Sequence, residues 1–366
     1  MPPLTPPAAA TDADPAGAVS VTAEAAPEAA GRSYPAELIS PSQAETPVRA
    51  YIPMTISPEA RAIYVAYQAF IMGPRPAPPE TLADFDLMYE NAEKSSLAAS
   101  EARVTQLQPT IAELRLNDSL VYEVKPKDYR DDGTAILFVH GGGFVVGSAK
   151  SSVGEAAGIA ALTGKRVYDV DYTVAPRGNW KIATDQVMNA YKGVLALGYD
   201  ARCVGMIGGS AGASIVASTT LKIRDSGNPM PAALVLLCPM SDLTEGGDTR
   251  YTLMDADPAL WAPQVRPGLD AYAAPADQKN PYVSPVYGDF SKGYPPTLIQ
   301  GGTKEFLVSD MVRLHRAIKR GGGVSDLELY EGMPHGFMGV MAEAPEGREA
   351  RAEQLAFWDR YLPPVK

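Results

Sequence analysis

One serine sits in a knot of small residues at 203–214, CVGMIGGSAGAS, where Gly208, Ser210 and Gly212 satisfy the spacing G-x-S-x-G. An apolar run leads into it and a helix-like run, AGASIVASTTLKI, leads out. A strand-to-helix turn of that tightness strains the backbone and lifts the serine hydroxyl clear of the sheet, the posture of an activated nucleophile. Glycine at 208 and 212 lets strand and helix close on one another. Alone the pattern is weak, because a Gly-rich connection without chemistry reads the same way.

A second cluster, HGGGFVVGS at 140–148, directly follows the apolar AILFV. Its successive glycines, Gly141 to Gly143, free backbone N–H groups to point into a cavity, as stabilisation of a developing oxyanion requires. A phosphate-binding loop is the rival, but neither G-x-x-x-x-G-K-[ST] nor G-x-G-x-x-G is matched. Of the three histidines, His335 in YEGMPHGF follows a strand-like DLELY near the end of the chain. His140 belongs to the glycine loop, and His315 lies in the helical DMVRLHRAIKR. A lone histidine is more often a core residue, yet the order serine, acid, histidine makes His335 the candidate base. The acid comes from GGTKEFLVSD, after the strand-like TLIQ, which offers Glu305 and Asp310. Either carboxylate could fix the histidine tautomer and steady its imidazolium. Glu305 lies nearer the strand end and is preferred, while Asp310 has the look of a first-turn helix residue complementing the dipole.

These residues need a scaffold that delivers them to one edge. After residue 110, apolar runs at 135–141, 166–172, 203–209, 232–240 and 297–303 alternate with helical segments such as KIATDQVMNAYKGVLAL. Several runs are apolar on both faces, so the pattern predicts an α/β fold with a mostly parallel sheet and ligands at the strands' carboxyl ends. Before it, 58–97 predicts two amphipathic helices, the first with Ile63, Ala66, Tyr67 and Phe70 as a packing face. The interval 243–285 is too long for a plain connection and is expected to add a helix to a cap rather than form an irregular excursion. Residues 1–35, Ala/Pro-rich and acidic without aromatics until Tyr34, predict a disordered tail.

With net charge −11 and pI ≈ 4.9, a nucleic-acid or anionic-membrane partner is not expected. Cys203 and Cys238 fall in apolar runs and are expected to be core thiols. The spacings of zinc sites are missing, so no metal is expected. No apolar run approaches the roughly 20 residues of a membrane span, and the N-terminus lacks the pattern of a signal peptide, making cytoplasmic the default expectation.

Taken together, HGGGFVVGS, DYTVAPRGNW, GGSAGAS, LLCPMSDLT and GMPHGF resemble, in order and spacing, the hormone-sensitive-lipase-like (bacterial family IV) esterases of the α/β-hydrolase superfamily. The resemblance spans about 110–366. It implies an α/β-hydrolase catalytic domain over 111–366 with a helical cap from 36–110 joined by about 243–275. It also implies Ser210 as nucleophile, His335 as base, Glu305 as acid, and oxyanion donors at the N–H groups of Gly142, Gly143 and Ala211. The implied activity is cofactor-free hydrolysis of short-chain acyl esters, with homodimers common in the family. The alternatives are an amidase or lactone hydrolase with the same triad, or a non-catalytic small-molecule receptor. Two departures stand out: Gly209 where the family usually has Asp or Thr, and Glu305 where it usually has Asp.

Overall fold

The computed structural model describes residues 48–74, 77–258 and 260–365. The tail expected at 1–35 and the start of the expected cap segment lie outside the described residues. The described residues belong to one compact unit.

The strands are β1 (Thr110–Leu116), β2 (Ser119–Lys125), β3 (Ala135–Val139), β4 (Arg166–Val170), β5 (Val204–Gly209), β6 (Leu234–Leu237), β7 (Thr297–Gly302) and β8 (Ser325–Tyr330). They form one eight-stranded sheet in the order β1-β2-β4-β3-β5-β6-β7-β8. β1 and β2 pair antiparallel, β2 pairs antiparallel with β4, and every later neighbour is parallel. Expectation and structure agree on the parallel strands. The β1–β2 hairpin was not foreseen. Its two turn residues, Asn117 and Asp118, take φ 45° and 68°, the pair of left-handed conformations that a two-residue hairpin demands.

The helices are α1 (Pro58–Ala66), α2 (Gln68–Met72), α3 (Leu82–Leu107), α4 (Ala149–Thr163), α5 (Trp180–Ala196), α6 (Ala211–Asp225), α7 (Thr249–Thr252), α8 (Ala262–Tyr272), α9 (Val308–Arg320), α10 (Phe337–Val340) and α11 (Pro345–Tyr361). α5, α6 and α9 cover one face of the sheet, taking Leu137, Val139 and Met206 into their layer. α4 and α11 cover the other with Ile136, Phe138 and Ile207. Strand residues therefore alternate between two apolar layers, which is why β3 is buried at every position.

The N-terminal helices differ from expectation. The first breaks at Tyr67, and its buried residues are Ala60 and Tyr64 rather than the predicted Ile63, Ala66 and Tyr67; the Phe70 side chain lies outside the described part. The Tyr64 hydroxyl donates to Gly332 O at 2.7 Å, which turns that face inward. α3 opens on a capping box between Thr81 and Asp84 and runs on to Leu107, well past the expected end. It lies against α4 closely enough that a Cβ on Gly154 would come within 2.7 Å of Ser100 Cα. The 243–285 interval holds α7 and α8. Gly268 of α8 packs on the loop after β3, where an added Cβ would stand 3.1 Å from Gly143 O.

Candidate active site

β3 pairs with β4 on one side and β5 on the other, so the chain leaves β3 in one direction and β5 in the opposite one. Such a switch opens a crevice at the strands' carboxyl ends. The loop after β3 carries HGGG, and the turn after β5 carries Ser210.

Ser210 adopts φ 54° and ψ −121°, a backbone state costly for any residue with a side chain. Its N–H donates to Leu237 O at 2.7 Å, and its side chain makes no capping bond to α6. The hydroxyl is left to the cavity at the sheet edge, which Ser210 lines. The turn closes because nothing but glycine fits: a Cβ on Gly208 would meet Gly212 C at 2.5 Å, and one on Gly212 would meet Val139 O at 2.1 Å.

The glycine loop is held by its own backbone. Gly142 and Gly143 take φ +113° and +57°, and Gly142 O accepts the N–H groups of Val145 and Val146 at 3.0 Å. His140 stacks on Tyr172 with ring centroids 4.3 Å apart, and Tyr172 in turn donates to His140 O at 3.0 Å. The His140 Nδ1 is 2.8 Å from Gly141 O, a carbonyl that can only accept, so Nδ1 carries the proton; burial pushes the ring's pKa down and keeps it neutral. Neither Gly142 nor Gly143 spends its N–H on another described residue, and Ala211 opens α6, where the first N–H groups have no intrahelical partner.

On the opposite wall, Glu305 Oε2 lies 2.6 Å from His335 Nδ1, and Glu305 Oε1 accepts from Gly302 N at 2.8 Å. Glu305 is fully buried. Burial alone would lower the His335 pKa, but the Glu305 charge and hydrogen bond, with the charge of Asp257, raise it above the ordinary imidazole value. Asp310, the other carboxylate weighed from the sequence, goes elsewhere. It pairs with buried Arg250 at 3.1 Å and accepts from Asp242 N, tying α9 to the 243–285 excursion. His315 bonds Ser325 Oγ across α9 and β8, away from this edge.

Two residues of this wall were not foreseen as part of it. Asp257, buried in the excursion, accepts the His335 backbone N–H at 2.8 Å and that of Leu260 at 2.7 Å. Cys238 was expected in a strand core. It stands one residue past β6 at φ 49°, and its sulfur accepts from Gly336 N at 3.4 Å. Burial first, then the Glu305 charge, push its thiol pKa well up. Cys203 is half-buried in the turn before β5, and both cysteines are free. Cys238, Glu305 and His335 place possible ligand atoms within 4.8 Å of one another. With metal–ligand lengths of about 2.0–2.3 Å, tetrahedral ligands stand over 3 Å apart, so the 2.6 Å Glu305–His335 contact suits a hydrogen bond and not a shared ion.

Ser210, His335, His140, Gly141 and Gly142 line one cavity of about 600 Å³, within the usual range for small-molecule sites. Its arrangement of a strained serine, a carboxylate-paired imidazole and unspent N–H groups is that of covalent acyl transfer.

The chain belongs to the α/β-hydrolase fold family, whose model matches residues 136–339. It is 32% identical to an acetyl-hydrolase of Streptomyces hygroscopicus over 227 residues, 60% of this chain and 74% of that protein. It is 26% identical to an ethyl acetate hydrolase of Pseudomonas putida over 322 residues, 82% of this chain and 99% of that one. Among solved structures, an esterase of the bacterial hormone-sensitive lipase family superimposes with TM-score 0.73 at 28% identity, covering 84% of this chain and all of its own. The hormone-sensitive-lipase resemblance drawn from the motifs is thereby borne out. Among the described residues no helix is long and apolar enough to cross a membrane.

Proposed function

We propose that this protein is a serine carboxylesterase acting on short-chain acyl esters. Ser210 attacks the ester carbonyl while His335 takes its proton, and Glu305 holds the imidazole and balances its charge. The tetrahedral oxyanion is met by the N–H groups of Gly142, Gly143 and Ala211, single donors of this kind contributing about 3 kcal/mol each. His335 then protonates the departing alkoxide, and water, deprotonated by the same histidine, releases the acid from Ser210.

The observation carrying this reading is the 2.6 Å Glu305–His335 pair on the cavity that also receives Ser210 from its strained turn. α3 lines that cavity, and α8 packs on the glycine loop, where Phe144 and Tyr272 stack at 4.1 Å. Both helices are assigned to the cap over this site. The names of the acetyl-hydrolase and ethyl acetate hydrolase relatives favour the same short acyl class.

The test is a series of p-nitrophenyl esters of increasing acyl length, with matching anilides. Turnover is expected to be greatest for the short esters and negligible for the anilides, and Ser210→Ala to lose at least about 10⁴-fold in kcat. Faster anilide than ester cleavage would make the protein an amidase, and full activity in Ser210→Ala would remove the nucleophile.

A further inference from the structure

Gly209, the residue before Ser210, faces space rather than protein. By strand alternation Gly209 shares a face of β5 with Ile207, which packs in the layer under α4 and α11. A Cβ built on Gly209 meets nothing within 4 Å. What it faces is the inner part of the cavity that holds Ser210 and His335.

That inner part runs along α4. Ser151, Ser152, Glu155 and Gly158 line it at helical spacing. At 1.5 Å per residue, the distance from Ser151 to Gly158 is about 10 Å. Across from Gly158, on α3, lies Arg103. A Cβ at 158 would stand 2.8 Å from Arg103 Nη2 and 2.9 Å from Nε, so the missing side chain is the seat of the guanidinium. Arg103 makes no hydrogen bond or ion pair with a described residue; its field reaches Glu155, which also lines the cavity. Arg351 adds a second guanidinium to the lining, donating to Ala342 O and, at 3.4 Å, to Glu343 Oε1.

Among the described residues no acid stands within ion-pair distance of Arg103, whereas Arg351 is partly taken up by Glu343. Glu155 is exposed to the cavity, where the Arg103 charge favours its ionised form, and no ion pair joins the two. Asp169, behind the wall and bonded by Ser152 Oγ at 2.7 Å, is pushed toward its neutral form by burial. The walls between mouth and inner end are apolar, built by Phe138, Ile207 and Leu237. An apolar passage ending at Arg103, whose donors are unspent among the described residues, is suited to a chain with a terminal carboxylate, which a guanidinium binds through two parallel hydrogen bonds.

We propose that the inner cavity is a specificity subsite for one arm of the ester, an arm about 10 Å long ending in a carboxylate. Gly209 admits it and Arg103, with Arg351, receives it. The inference deepens the esterase reading and rests on it.

The test compares kcat/KM for p-nitrophenyl acetate, p-nitrophenyl hexanoate and mono-p-nitrophenyl adipate. The acetate ester of hydroxyhexanoate, set against hexyl acetate, moves the carboxylate to the alcohol arm. In the wild type, at least one charged probe is expected to exceed its uncharged partner by about tenfold or more, with Arg103→Met erasing that preference and Arg103→Lys restoring part of it. Gly209→Leu is expected to lower both long probes relative to acetate by about tenfold or more, as a filled passage requires. Because each variant is judged by ratios within one preparation, partial misfolding does not mimic the result. Equal ratios in wild type and Arg103→Met for both charged probes would overturn the subsite. Failure of the wild type to hydrolyse acetate would overturn the esterase reading instead. Calorimetric binding of monomethyl adipate to Ser210→Ala, with and without Arg103→Met, then decides the subsite without turnover: an Arg103-dependent heat supports it, and no such heat overturns it.

Discussion

The two walls of the site are built by different means. The Ser210 wall is made of backbone: glycines at 208 and 212 that exclude even a methyl group, and left-handed dihedrals at 142, 143 and 210. All of it is local to two short stretches. The His335 wall is made of side chains brought from far along the chain, with Glu305, Asp257 and Cys238 converging on one imidazole loop. A backbone-built wall is rigid and intolerant of added atoms. A side-chain-built wall is intolerant of lost charges and contacts.

The contrast can be broken at several points. The largest effect is expected on the side-chain wall: Glu305→Gln should lower kcat by about 10³–10⁴-fold, the loss that follows a wrong tautomer. Asp310→Asn should leave kcat within a few fold and show its effect in thermal melts. Parity of the two in kcat would return the acid to Asp310. Next, Gly212→Ala places a carbon 2.1 Å from Val139 O and is expected to destabilise the fold by about 4 kcal/mol, read by denaturant titration. Retention of wild-type stability would mean the turn is looser than its geometry.

Asp257→Asn keeps an acceptor for the His335 N–H but removes a charge. A fall of roughly ten- to a hundredfold in kcat/KM is expected, from displacement of the imidazole loop. The acid limb of the pH profile should also move downward, since the Asp257 charge helps to raise His335. In the wild type that limb should lie above the ordinary imidazole value, because the base works only when neutral. The sign for stability is opposite: the charged His335–Glu305 pair stabilises the fold below the unfolded histidine pKa, and this is lost as pH rises through the higher folded value. An acid limb at or below the ordinary value would break the electrostatic account. The smallest effect is assigned to Gly209→Ala, whose Cβ enters open space; melting should stay unchanged or rise slightly, as glycine replacement at a compatible backbone does.

The same contrast decides what could be read from the sequence. The Ser210 wall was legible because its requirement, absence of side chains at fixed short spacing, is written in consecutive letters. Glu305 could be ranked above Asp310 by its place at a strand end. Asp257 could not be found, since its partner lies 78 residues away and its loop has no periodicity. In the fold, the parallel strands were legible as runs apolar on both faces. The β1–β2 hairpin was missed although Asn117-Asp118 carried the turn signal, because β1 is only half-buried and its pattern is blurred. The helices α4 and α11 were passed over too. The Ser148 cap and Pro345 at the first turn marked their starts, but the Ala- and Gly-rich face of α4 lacks the large residues that make helical periodicity plain.

Lys304, beside Glu305, sends its ammonium to the carbonyls of Arg49 and Tyr51 at 3.0 and 2.6 Å. The first described residues are thus anchored to the loop that carries Glu305, while among the described residues no such tie to them holds the Ser210 turn. The molecule should therefore come apart in a set order: as the N-terminal segment lets go, the loops of Glu305 and His335 loosen before the sheet does. Heat should end catalysis below the temperature at which the strands melt. Backbone amides around Gly302 and Gly336 should exchange with solvent sooner than those of β5.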